Sequence, residues 1–75
     1  MENYELYART LAKIESLEKE LGDAKRHLQM GWNGCKQNID KTYRSQMLGV
    51  SYSLNNISKI SSEAEALIKE HIDSK

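Results

Sequence analysis

The sequence predicts an all-α fold: an antiparallel helix–turn–helix hairpin that dimerises into a four-helix bundle. Three observations predict it. Larger apolar residues recur at steps of three and four along both halves of the chain, which is the spacing of a coiled-coil seam and not the alternation of a strand. Proline is absent, so nothing fixes a break in a helical pattern. Two glycines bracket the single tryptophan near mid-chain, in the stretch HLQMGWNGCKQNI from His27 to Ile39, between two long mixtures of polar and apolar residues.

The first element is a helix from about residue 3 to 30. Its apolar stripe runs Tyr4, Tyr7, Leu11, Ile14, Leu17, Leu21, Ala24 and Leu28, and Tyr7, Ile14, Leu21 and Leu28 follow one another at heptad spacing. Glu5 with Arg9 and Glu15 with Lys19 are placed to form ion pairs one turn apart on the wet side. Gly22 costs a helix about 1 kcal/mol relative to alanine, yet the stripe passes through it in phase, so the helix is expected to continue.

A turn of about residues 31–34 follows. Gly31 suits the left-handed position just past a helix end, and Asn33 suits the N-cap of the next helix. Helices joined by so short a connection fold back on one another.

The second helix spans about residues 35–72, with a stripe through Cys35, Ile39, Tyr43, Met47, Val50, Leu54, Ile57, Ile60, Ala64, Leu67 or Ile68, and Ile72. Asp40 with Arg44 and Glu65 with Lys69 are its one-turn pairs. The segment LGVSYSLNNISKISS is poor in helix formers, so packing must hold it. Ser62 and Glu65 fit a capping box, and a separate C-terminal helix from about Glu63 is the alternative to one continuous rod.

The 75 residues form one domain, near the size at which a lone hydrophobic core barely outweighs chain entropy. A single cysteine rules out an internal disulfide. His27, His71 and Cys35 are too few and too scattered for a metal site, and no cofactor motif is present. A partner chain is the remaining source of stability. The expected dimer or bundle interface is Tyr7, Leu11, Ile14, Leu21 and Leu28 with Ile39, Tyr43, Met47, Val50, Leu54 and Ile57.

Eleven basic and eleven acidic residues cancel, which argues against a general nucleic-acid binder. Apolar runs are too short to span a membrane. The start MENYELYART carries acids where a cleaved leader has a basic region. Synthesis is therefore expected in the cytoplasm without a cleaved signal peptide. Cys35, His27 and Asp40 near the turn are the only residues of a nucleophilic type of constellation. The position of Cys35 on the stripe marks it instead as a small buried hydrophobe, and no catalytic residues are assigned. Lys25, Arg26, His27, Lys36, Lys41 and Arg44 gather near the tip, and a solvated face is the plainer explanation of that cluster.

With Trp32 and Gly34 at the junction of two helices, the chain resembles the WXG (ESAT-like) family of small helical hairpins exported by type VII (ESX) secretion systems, whose hallmark is Trp-x-Gly between the helices. The resemblance implies a non-enzymatic dimeric bundle, with itself or with a second WXG-like or LXG-type protein, that engages the secretion machinery through a surface including Trp32 and Gly34. It also implies that the chain is a secreted factor or a partner or targeting chaperone of a larger secreted effector such as an LXG toxin. The chain departs from the family in being shorter and in lacking a C-terminal Tyr-x-x-x-Asp/Glu export motif, which favours the partner role. A stand-alone helical adaptor or regulatory subunit is the alternative.

Overall fold

A computed structural model describes residues 2–73, the side chain of Asp40 excepted. Two helices pack against each other: α1, Asn3–Lys36, and α2, Asp40–Asp73. Each is 34 residues long, and together they form a rod with Cα extents of 57 × 16 × 11 Å.

Both helices run without interruption. Gly22 lies inside α1 as expected, and a Cβ built on it meets nothing within 4 Å. Replacing Gly22 with Ala should therefore raise stability by about 1 kcal/mol, the difference in helix propensity, read as a higher midpoint in thermal unfolding. An unchanged or lower midpoint would show that the helix is not regular there. The capping-box sequence at Ser62 starts no new helix, since α2 runs through it to Asp73.

The turn is displaced from its expected place. Residues 31–34 are the last turns of α1, and the chain reverses over residues 37–39. Among the described residues the one with positive φ is Asn38 at 59°, and no glycine has one. Asparagine tolerates this left-handed conformation better than other residues with a Cβ, so Asn38 does what was expected of Gly31. The turn closes the helix end with backbone bonds: Gln37 N–H donates to Asn33 O (3.2 Å), Asn38 N–H to Cys35 O (3.1 Å) and Ile39 N–H to Gly34 O (2.8 Å). The expected N-cap Asn33 is thus interior to α1, and α2 opens with Tyr43 N–H donating to Ile39 O (3.1 Å).

The glycines serve a different purpose, close approach of the two backbones. A Cβ on Gly31 would stand 3.4 Å from Gln46 Cβ, and one on Gly34 would stand 3.0 Å from Thr42 Cγ2 and 3.3 Å from Tyr43 N. One on Gly49 would stand 2.9 Å from the His27 ring. A side chain at Gly34 or Gly49 pushes the helices apart or displaces what faces it, whereas a methyl group at Gly31 meets its neighbours at ordinary contact distance.

The seam between the helices mixes small, polar and a few large apolar residues. On α1 it follows Leu6, Thr10, Lys13, Leu17, Glu20, Ala24, His27, Gly31 and Gly34, alternating steps of four and three, and every one is buried or half-buried. On α2 it follows Thr42, Gln46, Gly49, Ser53, Asn56, Ile60, Ala64, Leu67 and His71, again all buried or half-buried. The second step of four in succession, Ile60 to Ala64, is a stutter in the heptad pattern.

Three polar links cross between the helices. His27 Nδ1–H donates to Gln46 Oε1 (2.6 Å), and His71 Nε2–H donates to Asn3 Oδ1 (2.8 Å). Lys13 Nζ lies 2.6 Å from Glu63 Oε2. These links fix the antiparallel register near the tip and toward the open end, while the Thr10 hydroxyl is buried in the seam without a hydrogen-bond partner among the described residues.

On the surface, Glu5 and Arg9 approach to 4.0 Å, and Glu65 and Lys69 to 2.8 Å. The hydrogen bond from Lys69, and then its charge, holds the Glu65 carboxyl below its usual range, and Lys69 is raised by the same contacts. Both side chains are open to water, where such pairs add little. Glu15 and Lys19 make no bridge among the described residues, which is ordinary for long side chains that stay free in solvent. The Asp40–Arg44 pair involves a side chain outside the described residues.

Among the described residues the buried apolar side chains are Ala24 and Ala64, and no large side chain is fully buried. With Leu6, Leu17, Ile60 and Leu67 only half-buried beside them, the seam covers little apolar surface against the cost of ordering the chain. The hairpin has a thin seam in place of a filled core.

Candidate functional site, an uncovered apolar face

The apolar residues that a small helical protein normally buries lie together on one side of the rod. Each residue that follows a seam position is turned about 100° further round its helix. Because the helices are antiparallel, that rotation brings both sets to the same face. From α1 these positions carry Tyr7, Leu11, Ile14, Leu21, Leu28, Trp32 and Cys35, interrupted by Glu18 and Lys25. From α2 they carry Tyr43, Met47, Val50, Leu54, Ile57, Ile68 and Ile72, interrupted by Ser61 and Glu65. Shallow grooves on the rod confirm the assignment at both ends: one is lined by Tyr7, Leu11, Ile14 and Ile68, and another by Cys35, Asn38, Ile39 and Tyr43.

All eleven residues expected at a bundle interface fall on this face or, for Ile39, at its tip. Met47, Val50 and Ile57 are half-buried against the seam. Tyr7, Leu11, Ile14, Leu21, Leu28, Ile39, Tyr43 and Leu54 are exposed. Tyr7 keeps 69% of its surface in water and Leu54 52%, large values for residues in a regular apolar series. A contiguous patch of this kind normally marks an interaction surface.

The spacing assigns the large residues of the stripe to a dimer or bundle interface and does not divide that face from the contact between the two helices. The structure divides them: the helix–helix contact follows the strip one residue earlier, which keeps Leu17, Ala24, Ile60, Ala64 and Leu67 of the expected stripe among glycines and polar residues. The signal was present in Ala24, Gly31, Gly34, Gly49 and Ser53, all small enough for close backbone packing. Each carries another reading in the sequence: Ala24 as a stripe residue, Gly31 as a helix end, Gly34 as part of Trp-x-Gly, and Gly49 and Ser53 as weak helix formers.

Trp32 is 60% exposed and stands on α1 two residues before Gly34, on the face and not in a loop. The ammonium of Lys36 lies 5.9 Å from its ring centroid, a cation–π contact from one turn further along the helix. Gly34 is buried against Thr42. The Trp-x-Gly pair therefore splits into an outward aromatic and an inward spacer.

The other residues singled out near the tip are not assembled into one centre. Cys35 is exposed, contrary to the expected burial, because its stripe is the open face. His27 turns into the seam toward Gly49 and Gln46. Eight residues of helix separate the two, about 12 Å of rise. The basic cluster is likewise divided: Arg26 pairs with Asp23 at 2.9 Å, Lys36 covers Trp32, and His27 is in the seam.

No group of three or more His, Cys, Asp or Glu side chains among the described residues is placed to hold a metal ion, and no helix is long and apolar enough to cross a membrane. Family models, curated proteins and solved structures yield no match to this chain. What the face does is therefore inferred from its own chemistry.

Proposed function

We propose that the chain is a non-enzymatic docking protein of a type VII secretion system, which buries its apolar face against a second helical hairpin to complete a four-helix bundle. In this role it is a WXG-like secreted factor or a partner or targeting chaperone of a larger secreted effector of the LXG type. The observation that carries the proposal is the apolar face with Trp32 near its tip, interrupted at Glu18, Lys25, Ser61 and Glu65, on a hairpin whose buried apolar residues, among those described, are Ala24 and Ala64. A partner hairpin supplies what the seam lacks: large side chains packed from both sides between helices at coiled-coil crossings.

Trp32 is the residue on which recognition is expected to concentrate, since exposed aromatics on docking faces often become binding hot spots. Substituting Trp32 by Ala should weaken effector binding or export about tenfold or more while changing helicity little, because the side chain is largely exposed on the open face. Binding by titration calorimetry beside circular dichroism checks this. Losses of binding and helicity in simple proportion would remove the recognition role.

A specific observation favours a second role, a stand-alone helical adaptor unrelated to secretion. Gly34 is accounted for by its packing on Thr42 and lies within α1, so Trp-x-Gly here does not mark the turn as it does in the WXG family. Co-purification with a secreted effector supports the secretion role. Normal secretion in cells lacking the protein supports the adaptor.

A further inference from the structure

We propose that the occupant of the apolar face is a second copy of this chain, docked antiparallel in a register set by reciprocal ion pairs between Glu18 and Lys25. The inference rests on the docking role proposed above and specifies the partner. It comes from the two charges that interrupt the face on α1. Both are exposed, and neither has an ion-pair partner among the described residues, although neighbouring Asp23 and Arg26 pair with each other. A charge left alone in an apolar strip is costly to cover unless the covering surface brings its opposite.

Symmetry supplies that opposite. Two such rods laid face to face and end to end in opposite directions are related by a two-fold axis crossing mid-rod. The rod runs from Asn3 to the turn at Asn38, so the axis passes beside Leu21. Glu18 and Lys25 lie on one strip, on either side of that point. Helix α1 then packs along the partner's α1 in the opposite direction. Glu18 meets the partner's Lys25 and Lys25 meets the partner's Glu18. The same operation sets Trp32 against the partner's Leu11 and Ile14 beside the partner's Leu28. The α1 strip is thus self-complementary under reversal, with apolar residues against apolar and each charge against its opposite.

Docking the copies in parallel lacks this match. Helix α1 would then lie on the partner's α2, where the residues level with Glu18 and Lys25 are Leu54, Ile57 and Val50, and both charges would be covered without a counter-charge. The area is sufficient for the antiparallel pair. A face of 57 × 16 Å covers on the order of 900 Å² a side, beside the roughly 800 Å² per partner of a stable interface.

The test is a charge-swap series measured by sedimentation equilibrium, with helicity followed in parallel. The wild-type chain is expected to be a dimer. E18K and K25E each set like charges opposite one another twice and should raise the dimer dissociation constant about tenfold or more. The double variant E18K/K25E should return it to near the wild-type value. An equimolar mixture of the E18K and K25E chains should form a mixed dimer tighter than either variant alone, because all four facing charges are then opposite. Single variants and mixtures that associate like the wild type would overturn the register. A wild-type chain monomeric at millimolar concentration would overturn the second copy as occupant, while leaving docking on a different chain to be judged by effector binding of the Trp32→Ala variant.

Discussion

Replacing Leu54 with aspartate is expected to disperse the assembly while leaving the two-helix seam in place. Leu54 follows the buried seam residue Ser53 and stands on the open face between Val50 and Ile57, with half of its surface in water. In the lone hairpin an aspartate there simply meets solvent. In a complex it is a carboxylate enclosed by apolar side chains with no cation opposite, and burying such a group costs several kcal/mol. Association should weaken by about 100-fold or more, close to 3 kcal/mol. Sedimentation velocity over a concentration series reads this directly as a shift to the smaller species. A profile unchanged from the wild type would place Leu54 outside the interface.

Gly49→Leu is expected to have the largest effect on the fold itself. A Cβ at Gly49 already stands 2.9 Å from His27 Cγ and 3.0 Å from His27 Nδ1, closer than real Cβ contacts come, and the ring is held by its bond to Gln46. A leucine must drive the imidazole out of the seam or part the helices. Overpacking of this kind costs about 1–3 kcal/mol, to which the stranded polar groups of Gln46 and His27 add about 1–3 kcal/mol. The better helix propensity of leucine returns less than 1 kcal/mol. Urea unfolding should show a clear drop in midpoint, partly recovered when His27→Ala makes room. A midpoint equal to the wild type would mean that the helices do not approach closely there. The contrast with Gly22→Ala, which meets open space, separates a packing effect from a general effect of glycine.

These two substitutions probe different strips, and the sequence made one of them plainer than the other. The helical content, the antiparallel reversal and the continuity of α1 through Gly22 were legible because each rests on local rules: periodicity, absence of proline and chain length. The set of residues that forms the apolar face was legible as well, since a period of three and four selects one side of a helix whatever covers it.

What that side faces was not legible. Leu21 and Leu28 belong to the expected dimer or bundle interface, but spacing alone does not separate that face from the seam within the hairpin. Only the placement of Gly31, Gly34 and Gly49 against α2 shows that the neighbouring strip takes that position. The turn was misplaced for a related reason. Glycine serves both at helix ends and at close helix contacts, and Gly31 and Gly34 serve the second purpose while Asn38 bends the chain. The polar links from Asn3 to His71 and from Lys13 to Glu63 join residues remote in sequence, and no local pattern announces them.

The seam also suggests why the apolar face is so complete. Small and polar residues bring the helices together but bury little hydrophobic surface, so a seam with only Leu6, Leu17, Ile60 and Leu67 as large apolar members gives register without much stability. Under the proposed docking, the covered face supplies the rest, and stability becomes a property of the complex.

The direct measurement is thermal unfolding of the purified chain by circular dichroism across a thousandfold range of concentration. Folding that depends on covering the face raises the midpoint steadily with concentration, in step with the dimer fraction seen by sedimentation. A sharp, concentration-independent midpoint for a species that sediments as a single chain throughout would contradict it.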